Sequence, residues 1–211
     1  MADLQPSYPE GVGLSVGLHP WKVDEDWQEA FALIREVAIR PDVWAIGECG
    51  LDKARGEALT LQIEAFRAHI ALSEELQKPL LVHCVRAFDE LLLLRRELEA
   101  AGKKEGREPQ SWVIHGFRGK PQQAKQLMTK GMLLSFGHQY NVETLRWVYG
   151  CSGLSGMSSS ARVNPFFLET DDLHLSVRQI YEQVARHLDV DVVHLAHLCD
   201  PRQTLFSHQN P

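Results

Sequence analysis

Short apolar runs along this chain stop abruptly at single polar residues, and amphipathic stretches separate them. Val43 to Gly47 stops at Glu48, Leu80-Leu81-Val82 at His83, Trp112-Val113-Ile114 at His115, and Phe166-Phe167-Leu168 runs into Glu169-Thr170-Asp171. Continuous apolar runs of this length predict parallel strands buried on both faces. Leu14 to Leu18, stopped by His19-Pro20, and Met132 to Phe136 read the same way. Between the runs the period becomes helical. Trp27, Phe31, Ile34 and Ala38 form a stripe, with Asp24 or Asp26 ahead of it as a cap. Leu61 to Leu76 carries Phe66 and Ile70 on one face and ends at Lys78-Pro79. Phe88, Leu91, Leu92, Arg95 and Leu98 predict a helix ending near Gly102, followed by a charged loop from Lys103 to Gln110. Pro121 opens a helix through Met128, with Gly131 as its stop. A short helix over Val142 to Val148 precedes a Ser- and Gly-rich loop, Cys151 to Ser160. Helices near Leu175 to Leu188 and Val190 to Phe206 close the chain.

Strand and helix alternate throughout, which implies an α/β fold with a parallel sheet and crossover helices. About six strands are expected, whereas a TIM-type barrel closes with eight. The expected fold is therefore TIM-barrel-like but incomplete, with open edges beside Leu14 to Leu18 and Phe166 to Leu168. At 211 residues, the whole of 1–211 is expected to form a single domain.

Bulk properties narrow the setting. A net charge of -6 argues against a broadly basic nucleic-acid surface, though not against a small basic site or phosphate contact through metal ions. No apolar run is long enough to cross a bilayer, and Met1 to Pro6 lacks the order of a secretory signal. The four cysteines, Cys49, Cys84, Cys151 and Cys199, form no CxxC pair. A zinc ribbon or disulfide scaffold is thereby disfavoured, and a reducing cytoplasm is the expected location.

Glu48, His83, His115 and Asp171, at the ends of successive predicted strands, read together as one metal site. Histidine and carboxylate ligands suit Mg, Mn or Zn. Asp171 is placed either to bind metal or to serve as general base toward water. Arg86 and Arg118 each follow a candidate histidine by three residues and are candidates for phosphate contact, against a solvated-loop role. His19 is a candidate to line the pocket. Asp52 and Lys53 either hold the Glu48 loop or form a surface pair. Cys84 reads as a small core residue, Asp172 as facing away, and His194 and His197 as surface residues.

The ordered segments Ser15-Val16-Gly17-Leu18-His19-Pro20-Trp21, Ala45-Ile46-Gly47-Glu48-Cys49-Gly50-Leu51-Asp52, Pro79-Leu80-Leu81-Val82-His83-Cys84 and Val113-Ile114-His115-Gly116-Phe117-Arg118-Gly119 carry a resemblance. With Leu134-Ser135-Phe136-Gly137 and Phe167-Leu168-Glu169-Thr170-Asp171, the chain resembles the TatD family of metal-dependent deoxyribonucleases, within the amidohydrolase-like barrel enzymes. The resemblance implies that Glu48 bridges two divalent cations, that His83 and His115 hold one of them, and that Asp171 touches the other and the attacking water. It implies hydrolysis of phosphodiester bonds in DNA by metal-activated water, without an obligate protein partner. The family begins with a strand bearing a His-x-His pair, and this chain has none; His19 is its first histidine. The expectation is a chain truncated at its start relative to the family, with up to two cations in the family and one here. Two further readings stay open: an inactive or one-metal fragment, and an amidohydrolase acting on a small amide, ester or lactone.

Overall fold

The structure is a computed structural model and describes residues 11–151, 166–171 and 174–206. Strands β1 (Leu14–Val16), β2 (Val43–Asp52), β3 (Leu80–Val85), β4 (Trp112–Ile114), β5 (Met132–Phe136) and β6 (Phe166–Leu168) form one sheet in chain order. Every neighbouring pair is parallel. Unbroken sequential order means each crossover steps in the same direction, and a twisted sheet built that way curls toward a barrel. Among the described residues, six strands give a half-barrel, with β1 and β6 outermost. The expected architecture is what the chain adopts.

Among the described residues, seven α-helices accompany the sheet: α1 (Trp27–Ala38), α2 (Leu59–Leu76), α3 (Phe88–Glu105), α4 (Pro121–Met128), α5 (Val142–Cys151), α6 (Val177–Leu188) and α7 (Val192–Leu198). Most of their apolar stripes and one face of the sheet share a main core, in which Ile46, Leu80, Trp112, Leu134 and Phe166 meet Phe66, Leu91, Leu127 and Ile180, while Val23, Trp27 and Ala65 form a small second cluster. On the other side lies a cavity of about 420 Å³, lined by Trp44, Leu81, Val113 and Phe167 among others. The segment Pro201–Phe206 lies across it, with the Phe206 ring 5.3 Å from that of Trp44.

Several boundaries differ from those predicted. β2 does not end at Gly47 but continues through Glu48 to Asp52, pairing Gly50, Leu51 and Asp52 with His83, Cys84 and Val85. Cys49 and Leu51 are fully buried, so apolar packing carries the strand past the carboxylate, with a register shift between Ile46 and Cys49. Gly47 and Gly50 permit this path. Both have positive φ, and a Cβ on them would strike the carbonyl oxygens of Leu81 and His83. Glu48 and His83 thus project from within strands rather than from turns. α3 likewise runs past Gly102 through Lys103 and Lys104, residues of good helix propensity, and stops at Gly106 in the left-handed conformation. α7 is shorter than predicted, because Asp200-Pro201 breaks the helix. Asp26 occupies the cap position of α1 without a side-chain cap bond. The predicted loop over Cys151 to Ser160 lies, from residue 152, outside the described residues, as does Asp172.

One buried histidine ties the sheet edge to a helix. His69 of α2 is fully buried; its Nδ1 donates to the Ala65 carbonyl (2.7 Å) and its Nε2 accepts from the Leu18 N–H (2.9 Å). Burial pushes its pKa down to about 4, against the hydrogen bond to Ala65, which raises it. The unfolded chain therefore binds more protons between pH 4 and 6.5, and stability falls as pH drops through that window. The expected loss is about 3 kcal/mol, read as a falling urea midpoint between pH 7 and pH 4, with a shallower slope in His69→Gln.

Candidate metal centre

Glu48 Oε1 is the meeting point of three imidazoles. It lies 2.7 Å from His115 Nε2, 2.9 Å from His83 Nδ1 and 3.4 Å from His19 Nε2. Each arrives from a different element: His83 from within β3, His115 from the residue after β4, and His19 from the turn following β1. Pro20 begins that turn, and the His19 ring stacks edge-on against His83 at 4.5 Å between centroids.

The outward nitrogens of two rings are held by carboxylates. His83 Nε2 faces Asp52 Oδ2 at 3.1 Å, and His115 Nδ1 faces Glu169 Oε1 at 3.0 Å. In the neutral rings, hydrogen bonds to these acceptors would put the proton on the outward nitrogen, which would leave His83 Nδ1 and His115 Nε2 as the lone-pair atoms turned toward Glu48. The carboxylates are themselves fixed. Asp52 accepts from Trp21 Nε1 (2.7 Å) and from the N–H groups of Ala54 and Arg55, and Gln62 clamps its backbone on both sides. Glu169 accepts from the Gly116 N–H (2.7 Å) and the Ser135 hydroxyl. His19 is oriented the other way. The Trp21 N–H donates to its Nδ1 (3.1 Å), so the neutral ring carries its proton on Nε2, pointing at the cluster. Donor atoms of His19, Glu48 and His83 lie within 4.8 Å of one another. The tautomers nevertheless favour Glu48, His83 and His115 as the set able to hold a metal, with His19 as a hydrogen-bond donor beside it.

Charge follows this geometry. Burial would raise the pKa of Glu48, but hydrogen bonds from His115, His19 and His83 outweigh it and hold the carboxyl well below its ordinary range. Burial opposes the charge on His115, yet Glu169 and Glu48 together push its pKa up to about 10. Asp52 is lowered because its bonds to Trp21, His83 and Ala54 overcome its burial. The imidazole nitrogens of His83 and His115 and the carboxylate oxygen that both approach could supply ligands to a divalent ion.

The remaining predicted residues fall into place around it. Asp171, exposed and in the left-handed conformation beyond β6, lines the same cavity as Glu48, His115 and Glu169 but makes no hydrogen bond or ion pair with Glu48, His83 or His115. Arg86 and Arg118 are exposed in the loops after β3 and β4, and Arg118 bonds to Gln139. Asp52 and Lys53 are not paired: Lys53 binds Glu90 at 2.7 Å, and only Asp52 supports the site. Burial pushes the Cys84 thiol up to about 12, in keeping with a core residue. His194 and His197 lie exposed on α7. Glu169 and Gln62 were not singled out from the sequence. Extended-strand parity offered a signal for Glu169, since residues 167, 169 and 171 share one face.

A parallel half-barrel with a histidine–carboxylate cluster at the C-terminal ends of its strands has the architecture of the barrel metallohydrolases. A family model, TatD related DNase, matches residues 1–197, and the chain belongs to that family. It is 29% identical over 178 residues to a 3'-5' ssDNA/RNA exonuclease TatD of Musicola paradisiaca, covering 79% of this chain and 59% of that protein. It is 32% identical over 124 residues to the uncharacterized metal-dependent hydrolase YabD of Bacillus subtilis, covering 58% and 46%. The chain thus spans about half the length of these relatives. The fold is shared with a hydrolase TatD family protein from Entamoeba histolytica (TM-score 0.68, 16% identity, 91% of this chain and 74% of that one). It is shared also with the TatD homologue YJJV of Escherichia coli (TM-score 0.64, 18% identity, 92% and 76%).

Calorimetric titration with Mn²⁺ or Zn²⁺ tests the set of ligands. Glu48→Ala and His83→Ala are expected to abolish tight binding. Asp52→Asn and Glu169→Gln, which leave every ligand in place, are expected to weaken it by about 10- to 100-fold. Unchanged affinity in the latter pair would show that the outward carboxylates do not orient the rings.

Proposed function

We propose that the chain is a metal-dependent phosphodiesterase acting on single-stranded nucleic acid, DNA in the first instance, with one cation held by Glu48, His83 and His115. The observation that carries this reading is the convergence of two carboxylate-backed imidazoles on Glu48 Oε1. Membership of the TatD related DNase family and the exonuclease name of a relative support the choice of nucleic acid over other phosphodiesters.

When bound, the cation supplies charge neutralisation at the scissile phosphate and activation of water. The chain's own residues do the rest. Asp52 and Glu169 keep His83 Nδ1 and His115 Nε2 turned toward Glu48 Oε1, where the cation would be held. His19 presents an N–H to the same point, positioned to bond a phosphate oxygen. Asp171, which lines the same cavity as Glu48, is assigned to take a proton from water. Arg86 and Arg118, exposed at the same end of the sheet, are assigned to flanking phosphates.

End-labelled single-stranded DNA, RNA and duplex DNA, assayed beside a panel of small amides, esters and lactones with Mg²⁺, Mn²⁺ or Zn²⁺, test the proposal. Shortening of single strands is expected, with Glu48→Ala slower by about a hundredfold or more. Asp171→Asn should lower kcat more than it raises KM. Turnover of small amides or lactones alone would establish the amidohydrolase reading instead. A wild-type chain inert with every metal and substrate would establish the fragment reading.

A further inference from the structure

We propose that Trp21 and Arg55 form a nucleotide subsite at the mouth of the metal centre, the indole stacking an unpaired base and the guanidinium binding an adjacent phosphate. The inference rests on the nucleic-acid reading above and assigns that site a specific place for the base. Trp21 is 42% exposed, although its indole touches the rings of His19 and His83 at centroid distances of 4.7 and 5.7 Å. Among the tryptophans, Trp27 and Trp112 are buried and Trp44 and Trp147 half-buried, so Trp21 is the one whose ring is left substantially to solvent.

The ring is not loose. Its Nε1 donates to Asp52 Oδ2 at 2.7 Å, and the same oxygen holds His83 Nε2. Orientation of the indole is therefore locked to the orientation of a metal-site imidazole. Arg55 lies over the indole with its guanidinium carbon 3.9 Å from the ring centroid, and its backbone N–H is anchored on Asp52 Oδ1. No carboxylate among the described residues pairs with that guanidinium. A rigid, exposed aromatic ring held by the residue that positions His83, and beside it a cation without a carboxylate partner whose backbone is anchored on that same residue, match the two halves of a nucleotide. A base stacks on an aromatic face regardless of its identity, and Arg both stacks and grips phosphate in a fork. A bland role is also available to Trp21, as a mere donor to Asp52, and the test separates the two.

Two short labelled single-stranded phosphorothioate oligomers, one bearing bases and one abasic, are titrated onto the full chain with Mg²⁺ and followed by fluorescence anisotropy. The wild type is expected to prefer the base-bearing oligomer by about tenfold, equivalent to roughly 1.4 kcal/mol. Trp21→Ala should bind both equally, whereas Trp21→Phe, which keeps a ring but loses the bond to Asp52, should retain most of the preference. Arg55→Ala should weaken both oligomers alike and lower the salt slope by about 1. A wild-type preference persisting in Trp21→Ala overturns the subsite, as does its complete loss in Trp21→Phe. Equal binding of both oligomers by the wild type overturns the subsite alone, while binding of neither overturns the nucleic-acid reading with it.

Discussion

Around Glu48 Oε1, three imidazoles crowd one half-buried carboxylate oxygen, and two of them back onto further carboxylates. Such an arrangement holds together only if positive charge enters it. Between Glu48 and Glu169 the His115 ring is pushed toward its charged form, and a metal ion would answer the same surroundings. Burial of Glu48 works against its ionisation, and the donors around it win. Each surrounding element is shaped by the need to keep these groups at contact distance.

The scaffold meets that need through backbone as much as through side chains. β2 is ten residues long, and its passage from Ile46 to Asp52 carries both Glu48 and the carboxylate that orients His83. Glycines at positions 47 and 50 let this segment press against β3 where a side chain would collide with backbone. Gln62, buried in α2, grips the end of the segment by both the N–H and the carbonyl of Asp52. On the far side, Arg95 is buried in α3 and donates to the carbonyls of Gln110 and Lys130, joining the approaches to β4 and β5. His115 and Ser135 are thereby carried on a braced part of the sheet. Rings placed by strands and by doubly anchored carboxylates keep their geometry better than rings on loops.

Much of this was legible in the residues. Apolar runs marked all six strands, five of them stopping at a polar residue, and their alternation with amphipathic stretches implied a parallel, incomplete barrel. Glu48, His83 and His115 stood out because each interrupts such a run, and the structure brings these three together. What stayed hidden has common causes. The extension of β2 was obscured because a charged residue and two glycines look like a strand end, whereas buried Cys49 and Leu51 carry the pairing onward. The tautomers depend on contacts across the sheet, between Asp52 and His83 and between Glu169 and His115, to which sequence spacing is blind. His19 lies far from Glu48 in sequence and only meets it because β1 pairs with β2. Helix ends at Gly106 and before Pro201 followed propensity and steric exclusion once the charged residues of α3 were allowed to be helical.

The central claim is that His83 Nδ1, His115 Nε2 and Glu48 Oε1 converge as a cation site whose outward nitrogens are protonated onto Asp52 and Glu169. Anomalous diffraction from crystals of the chain soaked in Mn²⁺ tests it most directly. A single strong peak is expected within bonding distance of those three atoms, with the contacts of His83 to Asp52 and of His115 to Glu169 retained. A peak coordinated elsewhere, or ordered Glu48, His83 and His115 side chains without any peak between them at millimolar Mn²⁺, would contradict it.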